Sequence, residues 1–236
     1  MLEAAGMTHQ GSVRKNNEDY YLILAELGLY LVADGMGGAR AGEQASHLAA
    51  ETVADFLRHS DRQDAQALQA AVEEANRAVK AAAAQDPNLD GMGTTLVAAL
   101  ENKDRLQIIS VGDSRAYVFE NNQLRFVTDD QTWIHEVGRP LGIDEAELRN
   151  HPMRHVLTMA IGASSPLKTH QYDVPLRPGT RVLLSSDGLH GVVPAEIIAE
   201  TLNSEQTLDA QCHYLIDTAV RAGGPDNITV VLLRAK

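Results

Sequence analysis

The chain has 236 residues, room for one large domain or two small ones. Its 20 basic and 32 acidic residues leave a formal net charge of −12, which argues against broad binding to nucleic-acid phosphates. One cysteine, Cys212, excludes an internal disulfide framework, and no run approaches the ~20 apolar residues of a membrane span. The N-terminal "MLEAAGMTHQ" has no basic region followed by an apolar one, so a cytoplasmic protein is expected. The acidity has two readings: ordinary solubility, or carboxylates that face one another across a cation.

Gly28 to Asp34, "GLYLVAD", reads as a buried strand that ends on its carboxylate. From Ala41 onward, Ala41, Ala45, Leu48, Ala49, Val53, Phe56 and Leu57 recur at spacings of three and four, which predicts an amphipathic helix. A second helix is expected from about Asp64 to Ala84, with Leu68, Ala71, Val72, Ala75 and Val79 on its buried face. Pro87, Asn88 and Asp90-Gly91 break the chain. The period then changes. "TTLVAALE", "RLQIISVG", "SRAYVFEN" and "QLRFVT" are short β-rich runs separated by turn residues. From about Asp129 to Thr169 the pattern is irregular, with Trp133, Pro140, Pro152 and Pro166, as in a surface excursion or in a lid or binding element. The strand "RVLLSSDG" follows, then helices over about Ala195–Leu202 and Thr207–Ala222, then a last strand, "NITVVLLR". Short strands joined by tight turns favour antiparallel sheets with the helix pairs packed outside. No repeat, low-complexity tract or linker interrupts the chain.

Four aspartates share one local grammar. Asp34, Asp113 in "SVGDSRAY" and Asp187 in "LLSSDGLHG" follow apolar runs, Asp226 in "AGGPDNITVV" precedes one, and each has a glycine within two residues. Singly, each reads as a turn aspartate. Together, they sit at strand ends that can converge on one sheet edge, where carboxylates repel unless a divalent cation neutralises them. All-oxygen ligation favours Mg²⁺ or Mn²⁺ over Zn²⁺. Near the start, "GSVRKNNEDYY" supplies Arg14, Glu18 and Asp19. Arg14 is a surface arginine or, beside such a centre, a grip on two phosphoryl oxygens. Metals and an arginine without a nucleophilic Cys or Ser pattern suggest metal-activated water attacking phosphorus.

"VRKNNEDY", "VADGMGG", "GMGTTLVAAL", "SVGDSRAY", "LLSSDGLHG" and "GPDNITVV" lie in one order from Gly11 to Val231. In this the chain resembles the metal-dependent PPM/PP2C protein serine/threonine phosphatases, in their bacterial form. The resemblance implies a single α+β domain over 1–236: a PP2C-like β-sandwich of two antiparallel sheets flanked by pairs of α-helices, with a flap at about 129–169. It implies hydrolysis of phosphoserine and phosphothreonine monoesters by direct attack of a metal-bridging water, countering bacterial Ser/Thr kinases. Asp34 would bridge two Mn²⁺ or Mg²⁺ ions, the Gly35 carbonyl would complete the first site, and Asp187 and Asp226 would hold the second. Asp113, with Asp187, would supply a weaker third site. Glu18 and Asp19 would act through metal-bound waters, Arg14 would hold the phosphate, and Gly35 to Gly38 would let the backbone turn close to the metal. The implied partners are phosphorylated proteins and a cognate kinase, with the enzyme a monomer.

Some features depart from the family's pattern. Mammalian members carry a histidine just after the glycine of the "ADG" motif, proposed as the general acid; Met36 stands there. "RNHPMRHVLTMAIG" resembles the family's flap, whereas "QTWIHEVGRPLGIDE" is less usual, and Met159 stands where the flap often has an arginine. His9, His47, His59 and His213 are isolated, His151 is expected to order the flap, and His155 and His190 to lie near the site. Cys212 reads as an inert buried thiol. Trp133 either packs the flap or lines a substrate groove. Two competing readings are a non-catalytic phosphopeptide-binding module, against which the complete ligand set argues, and a hydrolase of small phosphate esters.

Overall fold

In the computed structural model, residues 2–37, 41–164 and 166–236 are described. Two antiparallel sheets pack face to face. The first has the order β1 (Leu2–His9), β11 (Ile228–Ala235), β10 (Arg181–Ser185), β7 (Arg115–Glu120), β8 (Gln123–Phe126). The second runs β2 (Asp19–Leu24), β3 (Leu29–Met36), β5 (Leu96–Asn102), β6 (Arg105–Val111), β9 (His170–Pro175), with the two-residue β4 (Gly93–Thr94) against the end of β3.

The central strands are apolar on both faces because each face meets a different layer. On β3, Tyr30 and Val32 turn inward to Val97, Val118, Leu184 and Val231 between the sheets. Leu29, Leu31 and Ala33 alternate with them and turn outward. There they meet α1 (Ala41–Arg58) and α2 (Ala65–Gln85) through Ala45, Ala49, Val53, Leu68, Val72 and Val79. The first sheet's outer face, Leu183, Ile228, Val230 and Leu232, is covered by α5 (Ala195–Asn203) and α6 (Leu208–Arg221). The result is the four-layer α+β sandwich expected from the element order.

Helix ends follow local chemistry. The Asp64 carboxylate accepts from Gln66 N and Ala67 N, so α2 starts one residue beyond its cap. Thr207 caps α6 in the same way, accepting from Ala210 N. The expected strand at 94–101 is divided at Thr95, and β1, β2 and β9 were not separately legible in the sequence. Cys212 is buried in α6 and its thiol is pushed up to about 12, chiefly by burial, as suits an inert thiol. Among the described residues no helix is long and apolar enough to cross a membrane.

The 129–169 segment is irregular but internally packed. It holds a wide helical turn at Ile134–Gly138 and α3 (Glu145–Asn150). Trp133 stacks on His151 with ring centroids 4.2 Å apart, and the fully buried Leu148 reaches under Gly138. Trp133 therefore packs the segment on itself, and His151 orders it, its Nδ1 accepting from Met153 N.

Candidate metal centre

One end of the sandwich gathers the acids. Asp34 lies near the end of β3, with Asp19 of β2 directly opposite in the ladder. Asp113 comes from the β6–β7 turn, Asp187 opens α4 (Asp187–His190), and Asp226 precedes β11. Arg14, Glu18, Asp34, Gly35, Asp113, Asp187 and Asp226 all line one cleft of about 1000 Å³. Asp19 is buried behind it and does not line it.

The backbone there has no room for side chains. A Cβ on Gly35 would lie 2.1 Å from the Gly42 carbonyl oxygen, and one on Gly188 would lie 1.9 Å from that of Asn227. These contacts bring β3 against α1, and α4 against β11. Gly38 lies outside the described residues.

Several positioning groups escaped the sequence reading. Asn227 Oδ1 accepts from Glu18 N at 2.8 Å, while its Nδ2 donates to the carbonyls of Gln10 and Asn16. It thereby ties the loop bearing Arg14 and Glu18 to Asp226. Thr94 Oγ1 and Thr95 N both donate to the Asp34 carbonyl at 2.9 Å, and Asp34 N donates to Thr95 Oγ1. The same Thr95 hydroxyl pairs at 2.7 Å with that of Ser114, beside Asp113. Ser186 Oγ donates to Asp19 Oδ2 at 2.7 Å and accepts from Thr229 N, joining the two sheets.

The acids cannot all ionise together unaided. Asp34 is held well above the usual carboxylate range by burial, then by the charges of Asp19, Asp187, Asp113 and Asp226. Asp19 and Asp113 are each pushed up to about 7, burial leading and Asp187 adding repulsion. Asp187 is raised by burial and by Asp226, with His155 and Arg14 pulling the other way. Burial also raises Glu18, against the pull of Arg14. Arg14 Nη2 donates to Asp226 Oδ2 at 2.6 Å, and despite partial burial its guanidinium is held above its ordinary range by that contact.

Asp19 Oδ1 and Asp187 Oδ1 are buried without a hydrogen-bond partner. Orphaned carboxylate oxygens in a repelling cluster call for positive charge. Among the described residues no three Asp, Glu, His or Cys side chains are already closed on one point. The donor set is nonetheless all oxygen, the chemistry of hard divalent cations.

The histidines separate. His155 lines the cleft, followed by Val156 and Leu157. His190 does not line it; its Nδ1 lies 3.4 Å from Ser185 Oγ, and burial, then the charge of Arg115, holds the ring well below its ordinary value. Met36 lines the cleft, whereas Met159 is buried, its Sδ accepting from Lys168 N.

This fold and this acid-lined cleft define the class. The chain matches the protein phosphatase 2C family over residues 6–228 and belongs to it. It is 34% identical over 240 residues to the serine/threonine phosphatase stp of Listeria innocua, spanning 98% of this chain and 95% of that one. To the serine/threonine protein phosphatase PstP of Mycobacterium tuberculosis it is 38% identical over 238 residues, 98% of this chain and 45% of that longer protein. The crystal structure of M. tuberculosis PstP/Ppp superposes with a TM-score of 0.91 at 36% identity, covering 100% of this chain and 99% of that one. The PstP catalytic domain in complex with two manganese ions gives 0.88 at 35%, covering 99% and 97%.

Proposed function

We propose that this metal-dependent protein serine/threonine phosphatase hydrolyses phosphoserine and phosphothreonine monoesters of phosphorylated proteins, in the cytoplasm and against a cognate kinase. It would act as a monomer, in one domain over residues 1–236 with a flap at 129–169. The observation that carries the proposal is the set of mutually repelling carboxylates that line one cleft with Arg14, Asp187 among them with an orphaned buried oxygen, backed by Asp19 with another.

Asp34 feels Asp19, Asp113, Asp187 and Asp226 at once and is therefore assigned to the centre of the cation site. With the Gly35 carbonyl it would hold a first ion, and with Asp187 and Asp226 a second; Asp113 and Asp187 would hold a weaker third. Bound Mn²⁺ or Mg²⁺ supplies charge neutralisation and an acidified water. Asp19, behind the cleft, and Glu18 serve through water. Arg14, paired with Asp226 at the cleft, would turn its guanidinium to two phosphoryl oxygens and orient the phosphate. Asn227 and Thr95 keep these groups in place. With Met36 in the cleft, the residue that protonates the leaving oxygen is left to His155 or water.

The test compares the wild type and Asp34→Asn with Mn²⁺ on a phosphothreonine peptide and a sugar phosphate. Wild-type turnover of the peptide and a loss of several orders of magnitude in the folded variant are expected. Near-normal rates in Asp34→Asn would show the centre to be misplaced, and turnover of the sugar phosphate alone would reassign the substrate class.

A further inference from the structure

Gln131 is fully buried at the root of the flap, and its hydrogen bonds reach three separate segments. Its side-chain Oε1 accepts from Gly112 N at 2.8 Å, and its main-chain N donates to the Gly112 carbonyl at 2.9 Å. Gly112 immediately precedes Asp113. Its Nε2 donates at 3.0 Å to the Lys168 carbonyl, where the flap rejoins the sheet. Its own carbonyl accepts from Thr158 N at 2.9 Å, on the returning arm.

Those last bonds begin a short ladder. Thr132 bridges Leu157, and Trp133 N donates to the Val156 carbonyl at 2.8 Å. The returning arm carries His155, Val156 and Leu157, the flap's side of the cleft. Val156 is 40% exposed, an apolar side chain presented beside an otherwise acidic centre. Two ties set the ladder's distance from the carboxylates: Ile161, further along the arm, bridges Thr94 beside Asp34, and the two-way bond of Gln131 to Gly112 holds the 155–157 end against the Asp113 turn.

We propose that Gln131 is a positioning residue that sets the 155–157 wall against the Asp113 turn, so that the wall meets the peptide flanking the phosphorylated residue. This rests on the protein-phosphatase reading above. A buried primary amide suits the task because one end accepts and the other donates, satisfying the turn and the flap exit together. Neighbouring Asp130 anchors the same root through a two-point ion pair with Arg115, at 2.6 and 2.9 Å, on the strand that follows Asp113. With that pair intact, a change at Gln131 loosens the wall without freeing the flap.

The experiment measures kcat and KM for Gln131→Met and Gln131→Glu, with Mn²⁺, on a phosphothreonine peptide and on p-nitrophenyl phosphate, together with Tm and amide exchange at Gly112. Methionine keeps the volume and removes both side-chain bonds, so the peptide KM should rise about tenfold while aryl-phosphate turnover stays within about twofold. Exchange at the Gly112 amide should accelerate. Glutamate retains the acceptor for Gly112 but sets a buried carboxylate oxygen against the Lys168 carbonyl, so a peptide KM raised at least as far as methionine's is expected, again with little change on the aryl phosphate; it carries the comparison alone should the methionine variant not fold. An unchanged peptide KM, or a parallel loss on both substrates tracking a fall in Tm, would overturn the positioning role. A wild type that turns over the aryl phosphate and no phosphopeptide would instead overturn the reading on which it rests.

Discussion

Stripping divalent cations from the protein should invert the pH dependence of its stability. Asp19 and Asp113 titrate near 7 in the folded chain and near 3.8 when unfolded. Between those values the folded state binds more protons, so the contribution of each carboxyl is fully present below its unfolded value and is lost as pH rises through 7. From pH 6 to pH 8 each group passes through roughly one decade of net proton loss in the folded state, on the order of 1 kcal/mol apiece. His190 and His135 oppose them. Burial depresses both folded rings, so the unfolded rings release their protons over the same interval and return part of that loss. The remainder, on the order of 1 kcal/mol, corresponds to a Tm roughly 2–4 °C lower at pH 8 than at pH 6 in a chain of this size. Asp34, Asp187 and Glu18 are raised as well and add in the same direction.

With saturating Mn²⁺ the sign should reverse, because cations bind the deprotonated carboxylates and stabilise more as pH rises. Differential scanning calorimetry at pH 6, 7 and 8, in chelator and in Mn²⁺, reads both slopes. His190 and His135 contribute equally to the two series, so their difference isolates the carboxylates. A chelated protein whose Tm is flat or rises toward pH 8 would refute the repulsion argument.

Arg14→Ala should raise the Michaelis constant roughly 30- to 150-fold, about 2–3 kcal/mol for an arginine gripping two phosphoryl oxygens. Metal affinity should hold or improve, since Asp226 loses a competing cation; an unchanged Michaelis constant would return Arg14 to the surface. Asp113→Ala should remove a weak metal-binding event from calorimetric titrations and keep the tight ones, and loss of the tight binding would reassign Asp113. Met36→His should flatten the plot of log rate against leaving-group pKa, since an imidazole can protonate the leaving oxygen and a thioether cannot. A flat plot in the wild type, steepened by removing His155, would identify the donor instead.

The helices and central strands were legible because their signals are local. The three-and-four spacing from Ala41 and the continuous apolar run before Asp34 each state which faces are covered. The strands that escaped notice depend on partners far away in the chain. β1, "LEAAGMTH", has small residues and weak alternation, and it exists through eight paired positions with β11 at the opposite terminus. β9 is a sheet edge, half-exposed and closed by Pro175, a residue tolerated there because the edge leaves its missing N–H unneeded.

The candidate site divides along the same line. Asp34, Asp113, Asp187 and Asp226 could be named from the sequence because strand ends followed by glycines have a local signature. Their supporting groups could not. Thr95 looks like any β-branched residue entering a strand, yet its hydroxyl joins Asp34 to Ser114, 19 positions on. Asn227 and Arg14 act across more than two hundred residues. Such cross-links follow from what the site demands. A cluster of carboxylates destabilises its own surroundings, so it persists only where the neighbouring backbone is over-determined. Three apolar layers supply the general stability, and the polar cross-links hold the strand ends against the repulsion that the acids generate. On this argument the residues invisible to pattern reading are the ones whose removal should loosen the site while leaving the sandwich standing.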